Sequence, residues 1–361
     1  MHRTTLGLLI LAWVVGGCAS DRPASTAPTA ARQLIDRSIP RGVLDRDGWT
    51  EDLYAGFNVL GVTPSLENVC AVVAVIEQES GFRVDPPISG LPAIAWKEID
   101  ERATHAGVPR LVVHGILGLN SPTGRTYRER IDGARTEKDL SDIYEDFIDS
   151  VPLGRTLFAD RNPIRTRGPM QVSVLFAERF AAARRYPYRV ETSIADELFT
   201  RRGSIYFGIA HLLVYPVGSD QYLYRFADYN AGQYASRNAA FQQAVTVASG
   251  IRLLADGALL QHDGDVNTPS ATEAALRALA PRLGLRHTDI HAALEQGKTQ
   301  NFERTSTYLR VFAMAEEKRH GPLPRAVIPR IELHGPKINR TLTTEWYAKR
   351  VNSRFVRCLR Q

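Results

Sequence analysis

The sequence predicts a mainly α protein. Apolar residues recur three and four positions apart, as in Val69, Val72, Val75 and Ile76 or Ile205, Ile209, Leu212 and Leu213, the spacing that lines one helix face. Cap signals flank such runs: Thr63-Pro64 before the first, Ser270-x-x-Glu273 before a later one, and Gly232 after an aromatic stretch. At 361 residues and 44% apolar, the chain is long enough for one large domain or two ordinary ones. The formal charge of +6 suits an anionic surface, but it also describes an ordinary solvated exterior and decides little.

The elements follow in order. Arg3, an apolar run of about ten residues from Leu6 to Val15 and the small Gly16-Gly17 before Cys18 read as a signal peptide over 1–17, too short to span a membrane. Residues 18–31, rich in Pro, Ala, Ser and Thr, read as a tether. Thr63 caps and Pro64 opens a helix over 64–80. At about 100° per residue, Val72, Val75 and Ile76 lie near Glu79, with Cys70 and Glu77 opposite. Next come a helix over 92–106 stopped by Gly107, an apolar stretch over 111–119 and an acidic helix over 136–150. The carboxylates of that helix match no calcium-loop spacing and read as a solvated face. Gly168-Pro169 makes a turn into a helix over 172–183, and helices over 200–213 and 222–229 follow. Beyond them, 251–260 reads as a short hairpin arm around Asp256-Gly257. Helices over 270–283, 302–318 and 343–359 complete the chain, with a Pro-rich connector over 321–336. No zinc, P-loop or nucleophile-elbow pattern occurs, and nothing implies a cofactor.

Three short segments carry chemistry. Glu79 closes the apolar helix, and partial dehydration there favours its neutral form, as a general acid requires. The alternative is a carboxylate past the helix end that turns to water. In Gly168-Pro169-Met170-Gln171, the Gln171 amide suits a sugar or a carboxyl group, while Met170 is either a substrate contact or core filler. Tyr229 in Asp228-Tyr229-Asn230-Ala231-Gly232 offers a ring for stacking and a hydroxyl to tune an acid, or else belongs to an aromatic core helix with a glycine stop.

In that order, Glu79-Ser80-Gly81-Phe82, Gly168-Pro169-Met170-Gln171, Gly203-Ser204-Ile205-Tyr206-Phe207 and Tyr229-Asn230-Ala231-Gly232 resemble the signatures of lysozyme-like lytic transglycosylases, which cut the glycan strands of bacterial peptidoglycan. The chain looks like a divergent member, a bacterial lipoprotein of the DUF1615 type. The resemblance implies a lysozyme-like catalytic domain over 32–250 with an insertion over 86–160, and a C-terminal extension over 251–361 packed on it. By the same resemblance Glu79 is the sole acid and base, with Ser80, Met170, Gln171, Tyr229 and Asn230 positioning the glycan strand. Pro169 in place of the usual Leu, Asp228 in place of a small residue and the long insertion depart from the pattern. Asp228 keeps an inverting muramidase in view as an alternative, since that chemistry needs a second carboxylate. The insertion keeps a noncatalytic lipoprotein in view, binding the wall or a cell-wall protein partner.

Val15-Gly16-Gly17-Cys18 is similar to a bacterial lipobox, so Cys18 is the expected lipidation site. Ala19 after it favours the outer membrane, with the body facing the periplasm. Export also argues against a nucleic-acid partner. It leaves Cys70 and Cys358 in an oxidising compartment, where a disulfide is expected, the alternative being two thiols too far apart to meet.

Overall fold

The computed structural model describes residues 28–153, 155–156, 161–218, 221–260, 268–335 and 340–361. The expected signal peptide, Cys18 as the expected lipidation site and most of the expected tether lie outside them. Among the described residues the protein is mainly helical, with two small antiparallel hairpins.

The first helices are α1 (Pro28–Ser38), α2 (Arg46–Leu60) and α3 (Leu66–Glu79). Residues 28–31 of the expected tether therefore belong to a helix. Ala31, Leu34 and Ile35 are buried, so the end of the Pro/Ala/Thr-rich stretch already belongs to a packed helix. In α3 the cap is Ser65, not Thr63: its hydroxyl accepts from the Asn68 amide at 3.2 Å, while the Thr63 carbonyl takes the Asn68 side chain at 2.9 Å. Every residue from Val69 to Ile76 is buried, so α3 is a central helix apolar all round. Its second face, which carries Cys70, meets the end of the chain.

The segment 86–160 builds α4 (Leu91–His105), α5 (Arg110–Ile116), α6 (Tyr127–Gly133) and α7 (Glu137–Ser150). These enclose a small core of their own around Leu91, Leu117, Tyr127, Ile131 and Ile143. In α7, Thr136 and Asp139 form a reciprocal capping box.

The hairpin of β1 (Thr166–Arg167) and β2 (Val172–Ser173) turns through Gly168 to Gln171, with Arg167 opposite Val172. Gly168 has φ +74°, and a Cβ there would sit 1.8 Å from the Leu198 carbonyl oxygen, so the turn admits no side chain. Helices α8 (Val174–Ala183), α9 (Arg201–Leu213), α10 (Tyr222–Ala231) and α11 (Ala235–Ser249) follow.

The expected hairpin over 251–260 does not form: no strand occurs there. Its backbone is held instead by side chains and a distant strap, with Gly257 N–H donating to Gln242 Oε1 at 2.8 Å and Arg330 N–H to the Ala255 carbonyl at 2.8 Å. Three helices come next: α12 (Ala271–Leu283), α13 (His287–Glu295) and α14 (Ser306–Arg319). After β3 (Glu332–Leu333) and its partner β4 (Leu342–Thr343), α15 (Thr344–Leu359) ends the chain.

Packing does not divide at residue 250. Helix α11 joins α12 to α14 in a second core around Phe241, Leu276, Phe302 and Phe312. Helix α15 returns to the first core, where Tyr347, Ala348, Val351 and Phe355 lie with α1 to α3, α9 and α10. Cys358 bonds Cys70 with Cα atoms 5.5 Å apart.

Candidate active site

A cleft of about 2170 Å³ opens beside the end of α3, and Glu79, Gln171, Tyr229 and Asn230 all line it. Strap 327–335 and parts of 254–260 form an opposing wall. Residues far apart in sequence thus converge on one depression.

Glu79 is the last residue of α3 and is half-buried. The Tyr347 hydroxyl, from the first turn of α15, donates to its Oε1 at 2.5 Å. Burial, then the negative charge of Glu79, raise the Tyr347 phenol well above its usual range, so it stays a protonated donor. Thr344, one turn earlier on the same helix, donates through Oγ1 to Asn230 Oδ1 at 2.9 Å. Two neighbouring positions on one helix face thereby grip the acid and the asparagine. Glu77, on the far side of α3, pairs with Arg357 at 2.5 Å and is structural.

Tyr229 is nearly enclosed, and its hydroxyl donates to the Met170 carbonyl at 2.7 Å, locking α10 to the Gly168–Gln171 turn. Burial, with the Glu79 charge second, raises the Tyr229 phenol too. The tuning hydroxyl expected from Tyr229 is thus committed to the turn, and Tyr347 places one on the acid. Met170 is fully buried and lies against Gly208, where a Cβ would come within 2.2 Å of its sulfur. It is core filler beneath the site and cannot touch a substrate. The Ser80 hydroxyl donates to the Ile76 carbonyl of its own helix at 3.1 Å and finishes α3.

Gln171 takes φ +50°, and its amide nitrogen donates to Glu137 Oε2 at 2.8 Å while its oxygen accepts from the Thr166 hydroxyl at 2.9 Å. Glu137 begins α7, so the insertion holds this cleft residue in place. Asp228 faces the other way. It accepts from the Ser236 amide at 2.6 Å, the Tyr234 amide at 3.2 Å and the Tyr215 hydroxyl at 3.1 Å, as an anchor for the start of α11. Burial raises its pKa above the usual carboxylate range, against the pull of those hydrogen bonds.

Sequence reasoning missed Tyr347 and Thr344. Their signal was present: Tyr347, Val351, Phe355 and Cys358 form one apolar stripe ending at the cysteine expected to bond α3. Also missed was His211, which lines the cleft from α9 with 9% of its surface exposed.

The family described as "Protein of unknown function (DUF1615)" matches residues 42–361. The chain is 46% identical over 357 residues to the Escherichia coli (strain K12) protein described as "Uncharacterized protein YaiW", a match covering 98% of this chain and 97% of that one. No solved structure matches.

Proposed function

The chain belongs to the DUF1615 family, and from the chemistry of its cleft we propose that it is a peptidoglycan lytic transglycosylase with a lysozyme-like catalytic core. The observation that carries this reading is Glu79, a carboxylic acid that ends a buried apolar helix in a cleft and accepts a tyrosine hydroxyl. An ordinary glycosidase needs two carboxyl groups flanking the bond. The second one weighed for a hydrolase, Asp228, is spent on the backbone of 234–236 and lines no part of the cleft. Asp256, Glu295, Glu332 and Glu345 also line the cleft, with Asp256 held by the Gln242 amide and the Ala258 N–H and Glu345 paired with Lys349. With Asp228 spent elsewhere, the one-acid mechanism at Glu79 is preferred to an inverting muramidase that would use Asp228.

In that mechanism Glu79 gives its proton to the oxygen between N-acetylmuramic acid and N-acetylglucosamine, and the C–O bond breaks as the neighbouring acetamido group supports the cation. Ionised Glu79 then takes the proton from the muramic 6-hydroxyl, whose oxygen closes the 1,6-anhydro ring on C1. Tyr347 holds the carboxyl group, while Tyr229, Asn230 and Gln171 shape the wall. Lipidation at Cys18, with outer-membrane tethering facing the periplasm, belongs to the same proposal. Among the described residues no helix is long and apolar enough to cross a membrane. A noncatalytic wall-binding lipoprotein is the second reading, favoured by the insertion's grip on Gln171 through Glu137.

The test is a digest of purified peptidoglycan by the wild type and by Glu79→Gln, with products identified by mass spectrometry. Anhydro-ended fragments that vanish in the variant are expected. Reducing-ended fragments move the assignment to a hydrolase, and wall binding without any fragments moves it to the binding lipoprotein.

A further inference from the structure

His211 sits on α9 with its ring between those of Phe176 and Tyr229, at centroid distances of 4.5 and 4.8 Å. It is nine-tenths buried, yet it forms part of the cleft wall. Its Nδ1 is enclosed without a hydrogen-bond partner. The backbone carbonyl is already satisfied by the Gln233 amide at 2.8 Å. A buried polar atom left alone is costly, and an orphaned N–H is rarer in proteins than an orphaned acceptor. The less costly tautomer leaves Nδ1 bare and puts the proton on Nε2, the ring nitrogen free to serve the cleft. Burial also pushes the imidazole down to about 4, so it is neutral near pH 7. A neutral N–H donor set between the rings of Phe176 and Tyr229 suits a group with a carbonyl acceptor beside a methyl, and suits a cation or bare anion poorly.

We propose that His211 is a substrate-positioning residue whose Nε2–H donates to the acetamido carbonyl of an N-acetylated sugar, the methyl group packing on Phe176. The proposal rests on reading the cleft as a glycan site. It makes the site selective for acetylated glycan, because a free amine at the same place meets a donor and an apolar wall.

The test uses the full chain carrying Glu79→Gln, so that nothing is cleaved, and titrates it with tetra-N-acetylchitotetraose and with its fully deacetylated counterpart. The acetylated oligomer is expected to bind at least about tenfold more tightly, the scale of one hydrogen bond with its packing. Adding His211→Phe should abolish that preference by weakening the acetylated oligomer alone, and His211→Gln, which keeps an N–H donor, should restore part of it. The Gln variant reads the same preference if Phe proves unable to fold. Equal weakening of both oligomers, or no preference at the outset, overturns the role of His211 while the glycan reading stands. If neither oligomer binds but the wild type still cuts peptidoglycan, this inference alone falls. If neither binds and nothing is cut, both fall.

Discussion

Opening the Cys70–Cys358 bond should cost more stability than any single side-chain change away from the site. The two cysteines are 288 positions apart, so the bond constrains nearly the whole unfolded chain. Chain entropy for a loop of that length gives roughly 5.7 kcal/mol at 25 °C, before any native strain. Domain stabilities are about 5–15 kcal/mol, so the reduced protein should stay folded only marginally. Helix α15 will not simply detach, because Tyr347, Ala348, Val351 and Phe355 stay buried against α3 and α10 without the sulfurs. Equilibrium urea unfolding, followed by tryptophan fluorescence with and without reductant and in Cys358→Ser, measures the difference. A loss of about 4–6 kcal/mol is expected, equal in the reduced and Ser forms. A loss below about 1 kcal/mol in both would refute the argument, because the unfolded ensemble would then gain nothing from release of the loop.

Three further changes separate site from scaffold. Tyr347→Phe removes the hydroxyl from Glu79 but keeps the ring in the core; muropeptide release should fall about tenfold or more, with an unfolding midpoint close to wild type. Gly168→Ala must place a Cβ 1.8 Å from the Leu198 carbonyl oxygen at φ +74°, so a loss above about 2 kcal/mol in urea unfolding, or no soluble protein, is expected. His211 supplies the pH dependence. Its folded value of about 4 lies below the unfolded value of about 6.5, so the unfolded chain binds the proton first. Stability is full above pH 6.5 and drains as pH falls toward 4. Between pH 7.5 and pH 5 the wild type should lose about 2 kcal/mol more than His211→Phe in urea unfolding, and parallel curves would remove the burial argument.

Much of the helical order was legible because apolar spacing and caps agree in the same places. Ser270 caps α12 as the sequence predicts, and Gly107 follows α4 at φ +69°. Helix α2 went unread although Trp49, Leu53 and Phe57 repeat every four residues. Composition misled at α1, where Pro and Thr masked the buried spacing of Ala31, Leu34 and Ile35. The hairpin at 251–260 was misread because Asp-Gly chemistry is local, whereas Gln242 and Arg330 hold that segment from a distance. Glu79 and Tyr229 were readable from the face and stop of their own helices. The direction of the Tyr229 hydroxyl was not, since its acceptor is a backbone carbonyl on a remote turn.

The site's dependence on the last helix follows from register. Cys70 meets Cys358 at one end of the α3–α15 pair, and Glu79 meets Tyr347 at the other, so the two helices run antiparallel. At 1.5 Å per residue, Cys70 to Glu79 spans about 13.5 Å and Tyr347 to Cys358 about 16.5 Å. Side chains lean toward the N-terminus of their own helix, and in an antiparallel pair the two cysteines lean in opposite directions along the shared axis. The mismatch of about 3 Å is within the reach of the two side chains, and the Tyr347 hydroxyl meets the Glu79 carboxylate at 2.5 Å. The same lean lets Arg357, one residue before the cysteine, reach up α3 to Glu77. Bond and ion pair thus set the height of α15 against α3, and that height delivers a hydroxyl to Glu79. The candidate site read from the middle of the chain is completed by its end, where α15 carries both the cysteine bonded to α3 and the tyrosine that reaches Glu79.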